Sequence, residues 1–161
     1  MRAVIVIPAR LESTRLPNKL LLAESGKPLI CHTVERAAQI CAMGESFVEV
    51  IAAADDERIV AAVSEHAGTT GLAVRAVLTD PGHQSGPDRI AEVARSLPPD
   101  IDAVLHLQGD EPDIPAGAVL APPRYFSAAR SGSPTPVYPI HPAAPPHPPP
   151  EQAVVGPTRR A

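Results

Sequence analysis

Apolar positions along the first two thirds of the chain alternate between two periods. Ala3 to Ile7 is an unbroken run of small and β-branched residues closed by Pro8, the pattern of a strand buried on both faces of a parallel sheet. From Pro28 onward Ile30, Val34, Ala37, Ala38 and Cys41 recur at helical spacing, and Gly44 supplies a stop. The plan repeats: Val48 to Ala54 reads as a strand, Asp55 or Asp56 can cap the helix that follows, and Ile59, Val60, Val63 and Ala67 form its apolar stripe before Gly68. Val74 to Leu78 is a third strand. After the His83 to Gly86 loop a third helix carries Ile90, Val93, Ala94 and Leu97 on one face, and Ala103 to Leu107 is a fourth strand. A further helix begins near Pro115.

Strands alternating with amphipathic helices predict right-handed βαβ crossovers and a mostly parallel α/β sheet with helices on both faces. Ligands of such sheets bind beyond the carboxyl ends of the strands. The loops after strands one, three and four hold most of the unusual polar residues, so the chemistry is expected there.

Composition divides the 161-residue chain in two. Residues 1–120 hold ten Lys and Arg against seventeen Asp and Glu, whereas residues 121–161 hold four Arg against Glu151 alone and contain twelve of the 21 prolines. Runs such as Pro145-Pro146-His147-Pro148-Pro149-Pro150 offer little apolar surface and few backbone donors, so residues 121–161 are expected to be a disordered Pro-rich tail. Cys31 and Cys41, ten residues apart on one helix, stand roughly 15 Å apart at the helical rise, beyond disulfide reach. Reduced, buried thiols in a cytoplasmic protein are expected. The apolar run at residues 3–7 is too short to span a membrane, and the Met-Arg start leads directly into a strand without a signal-peptide pattern. The acidic balance of residues 1–120, the low aromatic content and the lack of a basic stripe argue against nucleic-acid binding.

The first loop, Pro8-Ala9-Arg10-Leu11-Glu12-Ser13-Thr14-Arg15-Leu16-Pro17-Asn18-Lys19, places three cations directly after a buried strand. Turn amides there can also point at an anion, which makes an electropositive cradle for phosphates. A solvated basic loop paired with nearby acids is the alternative reading. The loop lacks the glycines and the Gly-Lys-Ser/Thr ending of a P-loop. In His83-Gln84-Ser85-Gly86-Pro87-Asp88-Arg89, Gln and Ser can read the edge of a base, Gly lets the backbone approach closely, and Arg89 opens a helix. Taken singly, His83 could be an ordinary loop histidine, Ser85 an N-cap and Arg89 a surface partner of Asp88 or Glu92. Gln108-Gly109-Asp110-Glu111-Pro112 follows strand four and projects carboxylates over the sheet edge. Magnesium takes one or two protein carboxylates plus phosphate oxygens and waters, so a single well-placed Asp can anchor it.

Together these three segments resemble the signature loops of the CMP-Kdo synthetases, the 3-deoxy-manno-octulosonate cytidylyltransferases. The resemblance implies a Rossmann-like, glycosyltransferase-A-like nucleotidyltransferase fold, incomplete here. It also implies CTP and the sugar acid Kdo as substrates, Mg²⁺ as cofactor, and CMP-Kdo for lipopolysaccharide as product. Residue by residue it makes Arg10, Arg15 and Lys19 phosphate ligands, with Ala9 and Ser13 beside them. Gln84, Ser85, Gly86 and Arg89 fall on the nucleotide, Gln108 on the nucleotide or sugar region, and Asp110 on the metal. Arg10, Lys19 and Asp110 are the expected catalytic residues. Asn18 stands where the family has Gly, and Asn is the non-glycine residue that best tolerates a left-handed backbone. Ala54 replaces a threonine before Asp55, and Pro87 replaces a threonine at a position where its missing amide costs nothing.

The resemblance ends at about residue 120, where Ala121-Pro122-Pro123-Arg124 breaks the helix begun at Pro115. Family members continue with the sugar-acid pocket, a dimerisation arm and a second metal-binding aspartate. The expectation is therefore an inactive or impaired fragment, homodimeric in the family, with residues 121–161 a frameshift-derived or natural Pro-rich tail. Two other readings stay open: a cytidylyltransferase for another acidic sugar, and a non-catalytic nucleotide-binding scaffold whose tail engages a partner.

Overall fold

The structure is a computed structural model that describes residues 2–13 and 16–120 and the backbone of Val137–Pro139. Its centre is β1 (Ala3–Ala9), whose seven residues are all buried. The reason lies in its two faces. Ile5, Ile7 and Ala9 pack into one core with Ile30, Val34, Ala37 and Ile40 of α1 (Leu29–Met43) and Ile59 and Val63 of α2 (Glu57–Thr70). Val4 and Val6 point the other way, into a second core with Ile90 and Val93 of α3 (Gly86–Arg95). A strand covered on both sides has no use for polar alternation, which is why the run at its start is unbroken.

β2 (Phe47–Ala54) pairs parallel with β1 from Ala3↔Phe47 to Ala9↔Ala54, and β3 (Val74–Leu78) pairs parallel with β2. β4 (Ala103–His106) lies parallel on the other side of β1, with Val6 opposite His106. The order is β3-β2-β1-β4, extended by β5 (Val137–Pro139), which runs antiparallel to β4. Having β1 between β2 and β4 places the sheet's topological switch at the end of β1, where a crevice opens beyond the carboxyl ends. No helix among the described residues is long and apolar enough to cross a membrane.

Several boundaries differ from the sequence reading. α2 does not stop at Gly68; it continues to Thr70 and ends at Gly71, whose φ of 70° is the left-handed conformation a helix C-cap requires, with its N–H on Ala67 O. Asp56, not Asp55, is the N-cap, accepting from the Arg58 amide. β2 begins one residue earlier than expected, at Phe47, and β4 ends at His106, although the Leu107 amide still donates to Val6 O. Cys31 is buried but Cys41 only partly, and both are free thiols whose pKa burial raises. Within residues 121–161, Val137–Pro139 forms an edge strand on the open side of β4, whose unpaired backbone groups an extended segment can satisfy. The rest of residues 121–161 lies outside the described residues.

Candidate functional site

The chain leaves β1 at Ala9 and returns through Leu16-Pro17-Asn18 into a single 3-10 turn, Lys19–Leu21. Asn18 caps that turn with φ 53°, a left-handed backbone that its short amide side chain tolerates. The turn buries Leu20 and turns the Lys19 side chain back over the end of the sheet. Opposite, β4 gives way to Leu107, which is buried, and then to Gln108-Gly109-Asp110. Thr33 of α1, fully buried, donates to Gly109 O at 2.9 Å and pins that loop. A Cβ at Gly109 would stand 3.1 Å from Pro8 O, so the approach of the loop to β1 depends on glycine.

Between the two loops lies an open cleft of ≈ 280 Å³ lined by Pro8, Arg10, Lys19, Leu20, Gly86, Gln108, Gly109 and Asp110. Its centre is an ion pair, Lys19 Nζ to Asp110 Oδ2 at 2.5 Å, with both side chains more than a third exposed. Arg10 crosses to the third loop and donates to Gln84 O at 3.1 Å. One wall therefore carries two cations and the other a carboxylate, so the cleft can accept an anionic chain and a hard cation bound to it.

Of the predicted site residues, Arg10, Lys19, Gly86, Gln108 and Asp110 meet at this cleft. Ala9 is fully buried at the end of β1, and its contribution is a carbonyl that accepts from the Asp55 amide. Ser13 is half-buried further along the loop. Arg15 lies outside the described residues. Gln84 turns its side-chain amide to Gly82 O. Ser85 is the N-cap of α3, accepting from the Asp88 amide, and Pro87 sits in the first turn of that helix.

Arg89 is placed apart from the others. Expected on the nucleotide, it is wholly buried and absent from the cleft lining. Its Nη1 donates to Thr79 Oγ1 and to Asp80 O, and its Nη2 lies 3.5 Å from Asp55 Oδ2. Burial lowers its pKa, while the Asp55 carboxylate opposes that shift. The cause of the difference is geometric: Arg89 lies with Ile90 and Val93 on the buried face of α3, turned to the sheet, whereas Gly86 at the helix start reaches the cleft. His83 likewise points inward, its Nε2 2.5 Å from Glu92 Oε2, and Glu92 also accepts from the Asp80 amide.

Sequence reasoning missed Pro8, Leu20 and Gly109 as cleft walls and Thr33 as the anchor of the acidic loop. Thr33 had a signal, a lone hydroxyl among the apolar positions of α1. Among the described residues no cluster of three His, Cys, Asp or Glu could hold a metal by itself. The donor set would instead suit a divalent cation that takes one protein carboxylate and completes its shell with phosphate oxygens and water.

The parallel sheet, with a cationic loop after its central strand and a carboxylate loop after β4, has the fold of an α/β nucleotidyltransferase. The cytidylyltransferase family model matches residues 4–130, and the chain belongs to that family. It is 52% identical over 112 residues to a 3-deoxy-manno-octulosonate cytidylyltransferase of Thioalkalivibrio sulfidiphilus, covering 69% of this chain and 40% of that one. It is 41% identical over 144 residues to the enzyme of the same name from Aeromonas salmonicida, covering 89% and 53%. The solved structure of a CMP:2-keto-3-deoxy-manno-octonic acid synthetase complexed with CTP superposes with TM-score 0.62 at 35% identity, covering 80% of this chain and 48% of that one. The chain thus spans about half the length of the relatives it matches. The family match also runs past residue 120, where the sequence resemblance was expected to end.

Proposed function

We propose that this chain is the CTP-binding portion of a CMP-Kdo synthetase, which transfers CMP from CTP to the sugar acid Kdo and releases pyrophosphate. The observation that carries the reading is the Lys19–Asp110 pair facing Arg10 across one cleft. A triphosphate would draw Lys19 and Arg10 to its oxygens and leave Asp110 to the accompanying cation. The names of the similar enzymes, and the CTP in the similar solved structure, supply the nucleotide and the acceptor.

In this reading the anomeric hydroxyl of Kdo attacks the α-phosphorus in line. An oxygen–phosphorus bond forms, the bond to the bridging α–β oxygen breaks, pyrophosphate departs with the electron pair, and the hydroxyl proton passes to solvent. Arg10 and Lys19, with Arg15 and Ser13 from the same loop, hold the phosphates and neutralise developing charge, so the protein acts by positioning and electrostatics. Gln84, Ser85 and Gly86 face the base. Gln108 contacts the nucleotide or sugar, and Asp110 would hold Mg²⁺. A bound Mg²⁺ would supply Lewis-acid polarisation of the phosphoryl oxygens. The roles assigned concern the CTP side of the reaction.

Titration of the chain with CTP in the presence of Mg²⁺ tests this. Saturable binding weakened by Lys19→Ala and by Asp110→Ala is expected. Absence of CTP binding to the folded wild-type chain, or binding indifferent to both substitutions, would overturn it.

A further inference from the structure

The two sides of Arg10 are held by one residue. Asp55 follows β2 directly, so its backbone and side chain both lie beside the end of β1. Its amide donates to Ala9 O at 3.2 Å, and its Oδ1 accepts from the Leu11 amide at 2.8 Å. Ala9 and Leu11 flank Arg10, whose guanidinium lines the cleft. The other carboxylate oxygen of Asp55 faces Arg89 Nη2 at 3.5 Å. Arg89 is in turn held by Thr79 Oγ1 and Asp80 O at the end of β3, and Thr79 closes the circuit by donating through Oγ1 to Ala54 O at 2.7 Å.

Asp55 and Arg89 lie beneath the loops, and neither lines the cleft. A buried guanidinium with no charge opposite is costly, and so is a largely buried carboxylate; each makes the other tenable only in this geometry. The ends of β1, β2, β3 and the start of α3 therefore meet at one ion pair, and the loop that leaves β1 takes its direction from it.

We propose that Asp55 and Arg89 are positioning residues for the phosphate loop: Arg89 orients Asp55, and Asp55 fixes the backbone on both sides of Arg10 so that its guanidinium is preset for a polyphosphate. This rests on the CTP reading above and deepens it.

The test separates the acceptor on Leu11 from the charge on Arg89. Four forms of the full chain are compared: wild type, Arg89→Met, Arg89→Met with Asp55→Asn, and Arg89→Met with Asp55→Ala. Asn keeps an oxygen for the Leu11 amide without leaving a bare charge; Ala does not. Two quantities are read, hydrogen exchange of the Leu11 amide with Ile5 as internal control, and affinity for CTP against affinity for CMP.

Arg89→Met is expected to release the Leu11 amide while Ile5 stays protected, and to weaken CTP about tenfold with CMP changed less than about twofold, since misplacing a binding group by a fraction of an ångström is enough for such losses. Asp55→Asn in that background restores both quantities, and Asp55→Ala restores neither. Should Arg89→Met not fold, the two double variants decide between them on the same readouts. Equal Leu11 exchange in the Asn and Ala doubles, or equal losses of CTP and CMP affinity, would overturn the proposal. A folded wild-type chain that binds no CTP overturns the nucleotide reading instead, and Leu11 exchange still decides whether the pair positions the loop.

Discussion

Lys19→Ala should act in opposite directions on the bare metal and on the nucleotide. Lys19 Nζ and Asp110 Oδ2 are 2.5 Å apart, but the side chains are 38% and 41% exposed. At that exposure solvent screens most of the attraction, and pairs of this kind contribute about 0.2–1 kcal/mol. Removing the lysine therefore lowers stability by no more than about 1 kcal/mol. It also frees Asp110, so a divalent cation added without nucleotide binds about 1.4- to 5-fold more tightly, the same energy expressed as an equilibrium constant. A hydrogen bond from Lys19 to a phosphate oxygen is charge-assisted and contributes about 1.5–3 kcal/mol. The pair with Asp110 must break to form it, which leaves a loss of about 2- to 100-fold in Mg·CTP affinity. Free Mn²⁺ measured by electron paramagnetic resonance, with and without CTP, together with a thermal melt, reads all three quantities. If Lys19→Ala weakens Mn²⁺ binding in the absence of CTP, or costs several kcal/mol of stability, the lysine is a structural strut of the loop and the assignment of Asp110 as a cation site waiting on the nucleotide fails.

Three further outcomes are expected. Burial lowers the pKa of His106 from 6.5 to about 4, and neither ring nitrogen has a hydrogen-bond partner among the described residues. The neutral ring contributes stability that is complete above pH ~6.5 and declines as pH falls towards ~4, by roughly 3 kcal/mol. Denaturant unfolding across that window should show the slope and His106→Leu should flatten it; an unchanged slope would refute the assignment. Gly109→Ala places a methyl 3.1 Å from Pro8 O, against backbone that cannot yield freely. It should cost about 1–3 kcal/mol in a melt and weaken CTP binding, and a neutral substitution would show that the loop is free to move. Ser85→Ala removes the N-cap of α3 and should cost about 1 kcal/mol. A loss of CTP affinity larger than the loss of stability, in the same titration and melt, is expected if the hydroxyl faces the base as proposed; a loss no larger would confine Ser85 to capping.

The frame was legible because burial on two faces leaves a direct trace. The run at Ala3–Ile7 and the stripe Ile30, Val34 and Ala37 each record a contact with water excluded. Local signals failed where two residues could do the same work. Gly68 and Gly71 are equally able to end a helix, and it is Gly71 that takes the left-handed C-cap conformation. Asp55 and Asp56 are equally able to cap. Asp56 does so, because the carboxylate of Asp55 is taken by Leu11 from the neighbouring strand's loop, a partner 44 positions away that no window on the sequence contains.

The same limit governs the site. Arg10 and Arg89 look alike in sequence, each a cation in a segment that carries the resemblance described above. What separates them is the position of the Cα relative to the sheet edge. Arg10 stands one residue past the end of β1, where the chain has already left the sheet and a side chain can reach the cleft. Arg89 stands on the first turn of a helix that packs against that sheet, so its guanidinium is trapped below the loops and can serve a ligand only through what it holds. Whether a charge is spent on the ligand or on the support is decided by which layer it occupies, and that is settled only when strands β1, β2 and β3 are brought side by side.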